Sequence, residues 1–564
     1  MTAAQYMPGA AVTRIGSARR VSLVIACLLA AFGFVGGKLV VLALRAQGEM
    51  KVALAEPIGQ SWSRPDIVDR NGRLIATDVA VYSLFADPRL VVDRDTAVER
   101  LSAQFPDLNA AELRHQLADK ARRFLWIKRG LTPREAERAH ALGLPGFSLK
   151  SEPRRVYPSG NLFGHVVGAV NVDNKGLGGL ERFLDESGRS EPVLGPVRSL
   201  KAPLRLALDA GVQQALMDEL EAARQRYTSP AAAGLVLDIE SGEIVGSASL
   251  PAIDPSRPEE LMDRRFADRL TSGVYELGSV FKLATIAMAV DSGQASLDTV
   301  YDVRKPLTIG RFTINDLHPV GRPLTVREVF LHSSNVGAGM MALEAGTERQ
   351  KSFLSRLGLL QPMRTEAGVV APPLQPERWE RIETVTIAYG HGLAVAPLQF
   401  AAAAAALVNG GHLVTPTYLA GPHPVLAAAR APVVSAATSE RLREILRLNV
   451  TSPVGTGKRA EAETDAYRIG GKTGTAEIPT RGGYNEHAVI SSFLAVFPTD
   501  RPRYLTLVLL FEPHAAEGAK GVTAGLNAAP VTGRIVQRIA PLLGVLPRRI
   551  ETGSVGFDGK SGAQ

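Results

Sequence analysis

From Val21 to Gly37 the chain carries no charged residue, and after Lys38 the apolar run resumes from Leu39 to Leu44. A helix that is apolar on every face has no place on the surface of a water-soluble domain. At about 1.5 Å per residue the segment 21–44 reaches roughly 36 Å, enough for a hydrocarbon core of ~30 Å with Lys38 stretching to an interface. Arg14, Arg19 and Arg20 precede it without any acid. The sequence therefore predicts a cytoplasmic tail over 1–20, a transmembrane helix over 21–44, and everything after it outside the cytoplasm. Ala53-Leu54-Ala55 resembles a signal-peptide cleavage site, but it lies too far beyond the apolar run, and an uncleaved single-pass anchor is expected.

Beyond the anchor, a chain of 564 residues with 45% hydrophobic content must divide into several cores. The single cysteine, Cys27, falls inside the apolar run, so neither a disulfide framework nor a thiolate metal site is expected. The net charge of +8 is scattered, without a basic patch interleaved with aromatics. Nucleic acid is therefore not an expected partner, and work beside an anionic envelope is the simpler account.

Residues 45–205 read as a non-catalytic spacer. Arg64 to Ala76 suggests two short strands about an Asn71-Gly72 turn. Two helices follow, one capped by Asn109 and one opened by the capping box Thr132-Pro133-Arg134-Glu135; Arg154 to Asp185 reads as loop-rich. At Leu206 the composition shifts. Asp209 caps a helix whose apolar face is Val212, Leu216, Leu220 and Ala223. Strands are expected at Ala232–Asp238, Glu243–Ser249, Ala466–Ile478, Ala488–Phe497 and Tyr504–Phe511, with helices at Ala401–Leu407 and Val531–Leu543. Strands at both ends with helices between them predict an α+β domain over 206–546, an antiparallel sheet covered by helices, after an elongated α/β pedestal. Residues 547–564 read as a disordered tail.

Within the second domain Ser279-Val280-Phe281-Lys282 opens the apolar run Leu283 to Val290, which reads as a buried helix; residues three apart in a helix share a face, so a hydroxyl would lie beside an amine, a nucleophile next to a candidate base. Alone, S-x-x-K is more often a surface serine and a solvated lysine. Two further elements change the weight: Ser333-Ser334-Asn335, and Lys472-Thr473-Gly474-Thr475 on what should be an edge strand. Decoys exist in Ser159-Gly160-Asn161 and Lys560-Ser561-Gly562, but one lies in the spacer and the other in the tail.

This ordered set resembles the penicillin-recognising serine acyltransferases. The likeness extends to R-x-x-I-V-D-R-N-G from Arg64, R-R-V-Y-P-S-G from Arg154, His165, Gly168, Gly176 to Glu181, Gly390-His391-Gly392 and Pro397-Leu398-Gln399. Together these are similar to class B penicillin-binding proteins, and 378–392 with 521–546 resemble the cell-division (FtsI-type) branch. Three positions depart from the pattern: Leu277 stands where a proline is usual, Pro65-Asp66 where a glycine is, and Ala396 where a threonine is common.

The resemblance implies peptidoglycan D,D-transpeptidation. Ser279 would attack the D-Ala-D-Ala end of a stem peptide, Lys282 would accept its proton, Ser333 would relay it to the leaving amine, and Asn335 would orient Lys282 and the substrate amide. Backbone N–H groups of Ser279 and Thr475 would hold the oxyanion, and Lys472, Thr473, Gly474 and Thr475 the terminal carboxylate. β-Lactams would acylate the same serine, and no metal or organic cofactor is implied. The implied setting is a bacterial inner membrane with the catalytic domain periplasmic. Its implied partners are a SEDS-type glycan polymerase and other division proteins, and its pedestal would be dimerisation-like. Competing readings are an elongation-type class B enzyme, a β-lactam hydrolase or sensor, and a non-catalytic division scaffold.

Overall fold

The computed structural model describes residues 22–23, 25–38, 59–61, 63–190, 193–195, 201–421, 432–464, 466–480, 483–518 and 521–547. Residues 1–63 with 192–200 form one compact unit and the remainder a second. In the first unit, the described residues 22–23 and 25–38 are helical, and Gly59–Ser61 pairs antiparallel with Val193–Gly195. Among the described residues no helix is long and apolar enough to cross a membrane; 39–44 of the expected span lie outside them, as do 548–564 of the expected tail.

The second unit begins with the pedestal. Its axis is the strand Leu74–Ala86, which pairs antiparallel with Ile67–Val68, Leu125–Leu131 and Phe147–Val156. Leu84, Val98, Leu101, Phe105, Leu117 and Leu131 form a core between this sheet and the helices Arg94–Gln104, Ala110–Ala118 and Pro133–Ala141. Asn109 and the Thr132–Glu135 capping box start the last two of these helices as the sequence predicts. Helix Arg94–Gln104 and the strand Phe147–Val156 were not legible in sequence. The strand reads F-S-L-K-S-E-P-R-R-V, half-exposed and charged, so period-2 apolar alternation is largely absent. The region expected to be loop-rich is partly ordered: Arg154–Val156 finish that strand, and Gly164–Val167 and Gly179–Glu186 are helical. Gly164, Gly168, Gly176 and Gly179 in this region leave no room for a Cβ. Gly168 has φ +74, and a Cβ there would stand 2.1 Å from Gly178 O.

Five charged side chains lock the base of the pedestal. Glu181, 0% exposed, takes Arg64 Nε at 2.8 Å on one carboxylate oxygen and Arg155 Nε at 2.7 Å on the other. Arg64 also reaches Asp185 at 2.6 Å, and Arg155 reaches Asp78 at 3.3 Å. Glu181 sits on helix Gly179–Glu186, whose Leu180 and Leu184 belong to the same apolar core as Leu235 and Leu283 of the domain that follows. The ion cluster thus fixes a helix that is packed into both parts.

The second domain is built on a five-stranded antiparallel sheet in the order Gly470–Thr480, Gly483–Phe497, Tyr504–Phe511, Ala231–Asp238, Ile244–Leu250. Every residue of Ala231–Asp238 and of Tyr504–Phe511 is buried, so these strands read as continuous apolar runs rather than alternating ones. Helices Ala210–Arg226 and Ala528–Leu542 contribute Leu216, Leu220, Ile535 and Ile539 to the core on one face. Lys282–Asp291, Pro397–Val408 and Ala436–Thr451 contribute to the other core. The first strand starts at Gly470 rather than Ala466, because Tyr467 N–H closes a turn on Thr464 O and Ile469 O accepts from Arg447. Gly470–Thr480 is an edge strand with one side unpaired in the sheet.

Replacing Glu181 by Gln leaves two buried guanidinium groups short of one negative charge. We expect Glu181→Gln to destabilise the chain by about 3 kcal/mol, as breaking a buried ion pair does. The urea midpoint read by tryptophan fluorescence tests this, and a change below about 1 kcal/mol would show that the cluster is already solvated.

Candidate active site

The site is assembled where the edge strand meets the turn that carries Ser279. Gly278–Phe281 is a single 3-10 turn, and the α-helix begins only at Lys282, so the two residues expected on one helix lie across its start. Leu277 is buried and enters the turn at φ −97, ψ 1, without a side-chain cap. Gly278 follows at φ +60, where a Cβ would stand 2.6 Å from Thr475 O. From the strand, a Cβ on Gly474 would stand 2.4 Å from both Leu277 O and Ser492 Oγ; from the other side, one on Gly390 would stand 2.0 Å from Gly278 O. Three glycines therefore let three backbones converge on the nucleophile's turn.

Lys282 is 0% exposed. Its Nζ lies 2.8 Å from Ser279 Oγ, 2.7 Å from Ser333 O, 2.7 Å from Asn335 Oδ1 and 3.1 Å from Ser333 Oγ. Burial holds its pKa well below the ordinary lysine range, the Lys472 cation adds to this, and Asp316 opposes it. An uncharged amine has two N–H donors and one lone pair. Ser333 O and Asn335 Oδ1 can only accept, so they take the two protons, and the lone pair is left facing the Ser279 hydroxyl.

Ser333 stands between two amines, its Oγ 3.1 Å from Lys282 Nζ and 3.0 Å from Lys472 Nζ. It holds φ +58, an uncommon conformation for serine. The helix Asn335–Ala345 that follows sustains it. Ser334 caps that helix by accepting from Gly337 N–H at 3.0 Å and donates to Asp316 at 2.6 Å, and Asp316 also accepts the N–H groups of Asn335 and Val336. Lys472, also 0% exposed, lies over the Phe330 ring and donates to Thr473 O at 3.0 Å; burial pushes its pKa down to about 7.

These groups border a cavity of about 470 Å3 lined by Ser279, Asp316, Ser333, Asn335, Thr473 and Thr475 among others. A larger cavity of about 1100 Å3 opens beside Pro498–Tyr504 and Leu543–Pro547 and contains none of them. The structure thus links Ser279, Lys282, Ser333, Asn335 and Lys472 in one hydrogen-bonded set, with Thr473 and Thr475 on the adjoining wall and Gly474 between them turned against Leu277 and Ser492. Among the described residues no cluster of three or more His, Cys, Asp or Glu side chains could hold a metal.

Residues 232–536 match the penicillin binding protein transpeptidase domain. The chain belongs to the penicillin-binding proteins. Residues 61–190 match the penicillin-binding protein dimerisation domain, which places the pedestal in the same family. A probable peptidoglycan D,D-transpeptidase FtsI of Caulobacter vibrioides is 38% identical over 86% of this chain and 82% of its own. The peptidoglycan D,D-transpeptidase FtsI of Escherichia coli K12 is 28% identical over 95% and 93%. Penicillin binding protein 3 of Mycobacterium tuberculosis, solved with aztreonam, superposes with a TM-score of 0.65 at 25% identity over 86% of this chain and 97% of its own.

Several groups in this site gave no sequence signal. Asp316 lies at no fixed spacing from any motif and reaches the site after the hairpin Leu307–Ile314. Thr456 and Asn449 carry no motif either. His391 was legible only as part of a family pattern; burial, with the Lys282 amine nearby, pushes its pKa down to about 4, so it is a neutral imidazole at neutral pH.

Because a Cβ on Gly474 would stand 2.4 Å from Leu277 O and from Ser492 Oγ, Gly474→Ala is expected to displace the strand from the Ser279 turn. An ångström-scale displacement corresponds to an acylation rate lower by about 100-fold. Stopped-flow acylation with a chromogenic cephalosporin measures it, and a loss of less than about threefold would mean that the strand is free to shift without harm.

Proposed function

We propose that this protein is a peptidoglycan D,D-transpeptidase that forms septal cross-links through a Ser279 ester. The observation that carries the reading is the Lys282 amine, buried, 2.8 Å from Ser279 Oγ and linked through Ser333 Oγ to Lys472. The relatives' names, peptidoglycan D,D-transpeptidase FtsI, supply the substrate class and the division role.

In this scheme the donor's terminal carboxylate pairs with Lys472 beside Thr473 and Thr475, and the donor backbone adds to the open side of Gly470–Thr480. Ser279 Oγ attacks the carbonyl of the penultimate D-alanine as its proton passes to Lys282 Nζ. The N–H groups of Ser279 and Thr475 hold the oxyanion, each worth ~3–4 kcal/mol. As the C–N bond breaks, the proton moves from Lys282 through Ser333 Oγ to the departing D-alanine nitrogen. Asn335 keeps Lys282 aligned throughout. An amine from a second stem then attacks the ester and gives up a proton by the reverse path, and Ser279 Oγ leaves reprotonated, with one peptide bond exchanged for another. A β-lactam enters the same first step, but its leaving nitrogen stays tethered and blocks the acceptor. Every proton transfer is assigned to a side chain of this chain.

The wider placement is also our reading. Residues 1–20 lie in the cytoplasm, 21–44 span the inner membrane once, 45–205 form the pedestal and 206–546 the periplasmic transpeptidase domain. The anchor and pedestal suit docking onto a SEDS-type glycan polymerase. Imaging a tagged copy at midcell during division tests the septal role; placement along the lateral wall would favour elongation.

Two measurements test the chemistry. A fluorescent penicillin should form a long-lived adduct with the wild-type chain and none with Ser279→Ala; rapid drug turnover would instead indicate a hydrolase, and no adduct a scaffold. The pH profile of acylation should be bell-shaped. Lys282 must be unprotonated, so the rate rises as pH climbs through its lowered pKa. Lys472 must be charged, so the rate falls as pH passes its own value, about 7 before a carboxylate arrives to raise it. Lys472→Arg keeps its charge and should move the alkaline limb upward, and an unmoved limb would remove Lys472 from carboxylate recognition.

A further inference from the structure

Behind the Lys472 strand runs a hydrogen-bond chain that the scheme above does not use. Asn449, fully buried in helix Ala436–Thr451, has both ends of its carboxamide fixed by backbone. Nδ2 donates to Gly471 O at 2.8 Å, and Oδ1 accepts from Thr456 N–H at 3.1 Å. A carbonyl cannot donate and an amide N–H cannot accept, so the orientation of this side chain is determined. Oδ1 therefore accepts from Thr456 Oγ1 as well, at 3.2 Å. With its own proton committed to Asn449, Thr456 Oγ1 accepts from Thr473 Oγ1 at 2.7 Å.

The loop bearing Thr456 is built to sit there. A Cβ on Gly455 would stand 2.2 Å from Asn449 O, and one on Gly457 would stand 3.0 Å from Val450 and 3.2 Å from Asn449 Nδ2. Gly457 N–H donates to Asn449 O at 3.1 Å. From the other side, Gly525 passes so close that its Cβ would be 2.8 Å from Thr456 O. Thr456 nonetheless reaches the wall of the active-site cavity.

The direction of this chain has a consequence for the ligand. The Thr473 proton is committed to Thr456 Oγ1, and its oxygen faces Lys472 Nζ at 3.4 Å. Thr475 is arranged the opposite way: its Oγ1 accepts Ala524 N–H at 3.2 Å, which leaves its proton available. We propose that Thr456, oriented by Asn449, is a positioning residue for recognition of the donor's carboxylate. It fixes Thr473 as an acceptor toward the Lys472 ammonium, so that the carboxylate meets the charge of Lys472 and the proton of Thr475. This rests on the transpeptidase reading. Without Thr456 Oγ1 the Thr473 dipole is free to turn its proton toward Lys472, which opposes the charged form of that lysine.

The test uses two D-alanyl thioester donors that differ only in the leaving group, mercaptoacetate against its neutral carboxamide. The full-length chain is assayed for second-order acylation of Ser279 with each donor. In Thr456→Val the ratio of carboxylate to carboxamide rates should fall about tenfold relative to wild type, the size of one charge-assisted hydrogen bond. Thr456→Ser, which keeps the hydroxyl, should restore the ratio. The ratio is internal to each preparation, so a misfolded fraction cancels. If wild type acylates and prefers the carboxylate donor but Thr456→Val keeps the same preference, or loses both rates equally, the role assigned to Thr456 is wrong and the transpeptidase reading stands. If wild type acylates with neither donor, both fall.

Discussion

The site depends on holding one lysine's pKa well below its ordinary range. Lys282 sits at the start of its helix with no solvent exposure, and an ammonium there would pay a large desolvation penalty. The protein meets this in two ways. It places a second buried amine, Lys472, on the far side of Ser333, so that two positive charges at once are disfavoured. It also supplies two fixed acceptors, Ser333 O and Asn335 Oδ1, that satisfy a neutral amine and leave its lone pair toward Ser279. Asp316 works against this, since its carboxylate favours the ammonium. Its position is explained by a different demand, because it caps the helix that carries Asn335 and steadies the strained Ser333. The lysine's state is therefore a compromise between alignment of its acceptors and the field that alignment brings.

Such a site needs rigid walls, and the fold supplies them by close approach of backbones. The turn before Lys282 is held between the edge strand and the Gly390 loop at distances that exclude any side chain. The sheet behind that strand is buried on both faces, and its helices share a core with the pedestal's base through Phe163, Leu180 and Leu184. Fixing Glu181 with two arginines thus anchors a helix whose apolar face belongs to the catalytic core. The open side of Gly470–Thr480 is the exception. It leaves a row of backbone groups without a partner strand in the sheet.

How much of this was legible follows from where the information lies. Strands such as Tyr504–Phe511 announce themselves because double burial makes them continuous apolar runs. Caps such as Asp209 and Thr132 are local chemistry and read directly. Phe147–Val156 did not read as a strand because its order comes from partners far away, Leu74–Ala86 beside it and the Arg129–Glu152 pair across it. In the site, Ser279, Lys282, Ser333, Asn335 and Lys472 were legible through the order and spacing of three short motifs. Asp316, Thr456 and Asn449 were not, since each acts by meeting a backbone or hydroxyl group that only the fold brings near. The start of the nucleophile's helix was misread for a related reason. Spacing alone cannot separate a 3-10 turn from an α-helical one, because both set residues three apart on nearly one face.

That last difference bears on the chemistry. In a 3-10 turn, residues i and i+3 eclipse, whereas in an α-helix they are offset around the axis. Eclipsing brings Ser279 Oγ and Lys282 Nζ to 2.8 Å although the lysine chain must bend back to do so. It also removes the need for a helix cap at the nucleophile: Leu277 makes no side-chain cap, and Gly278 N–H is instead satisfied by Gly390 O at 3.2 Å. A proline at position 277 would fix φ near −65, whereas Leu277 adopts φ −97. The leucine instead secures the turn by burying its side chain in the main core and by accepting from Ser492 on the neighbouring strand. Tertiary packing here does the work of a local constraint at position 277, so the precision of the Ser279–Lys282 contact depends on the sheet as well as on Gly278 within the turn.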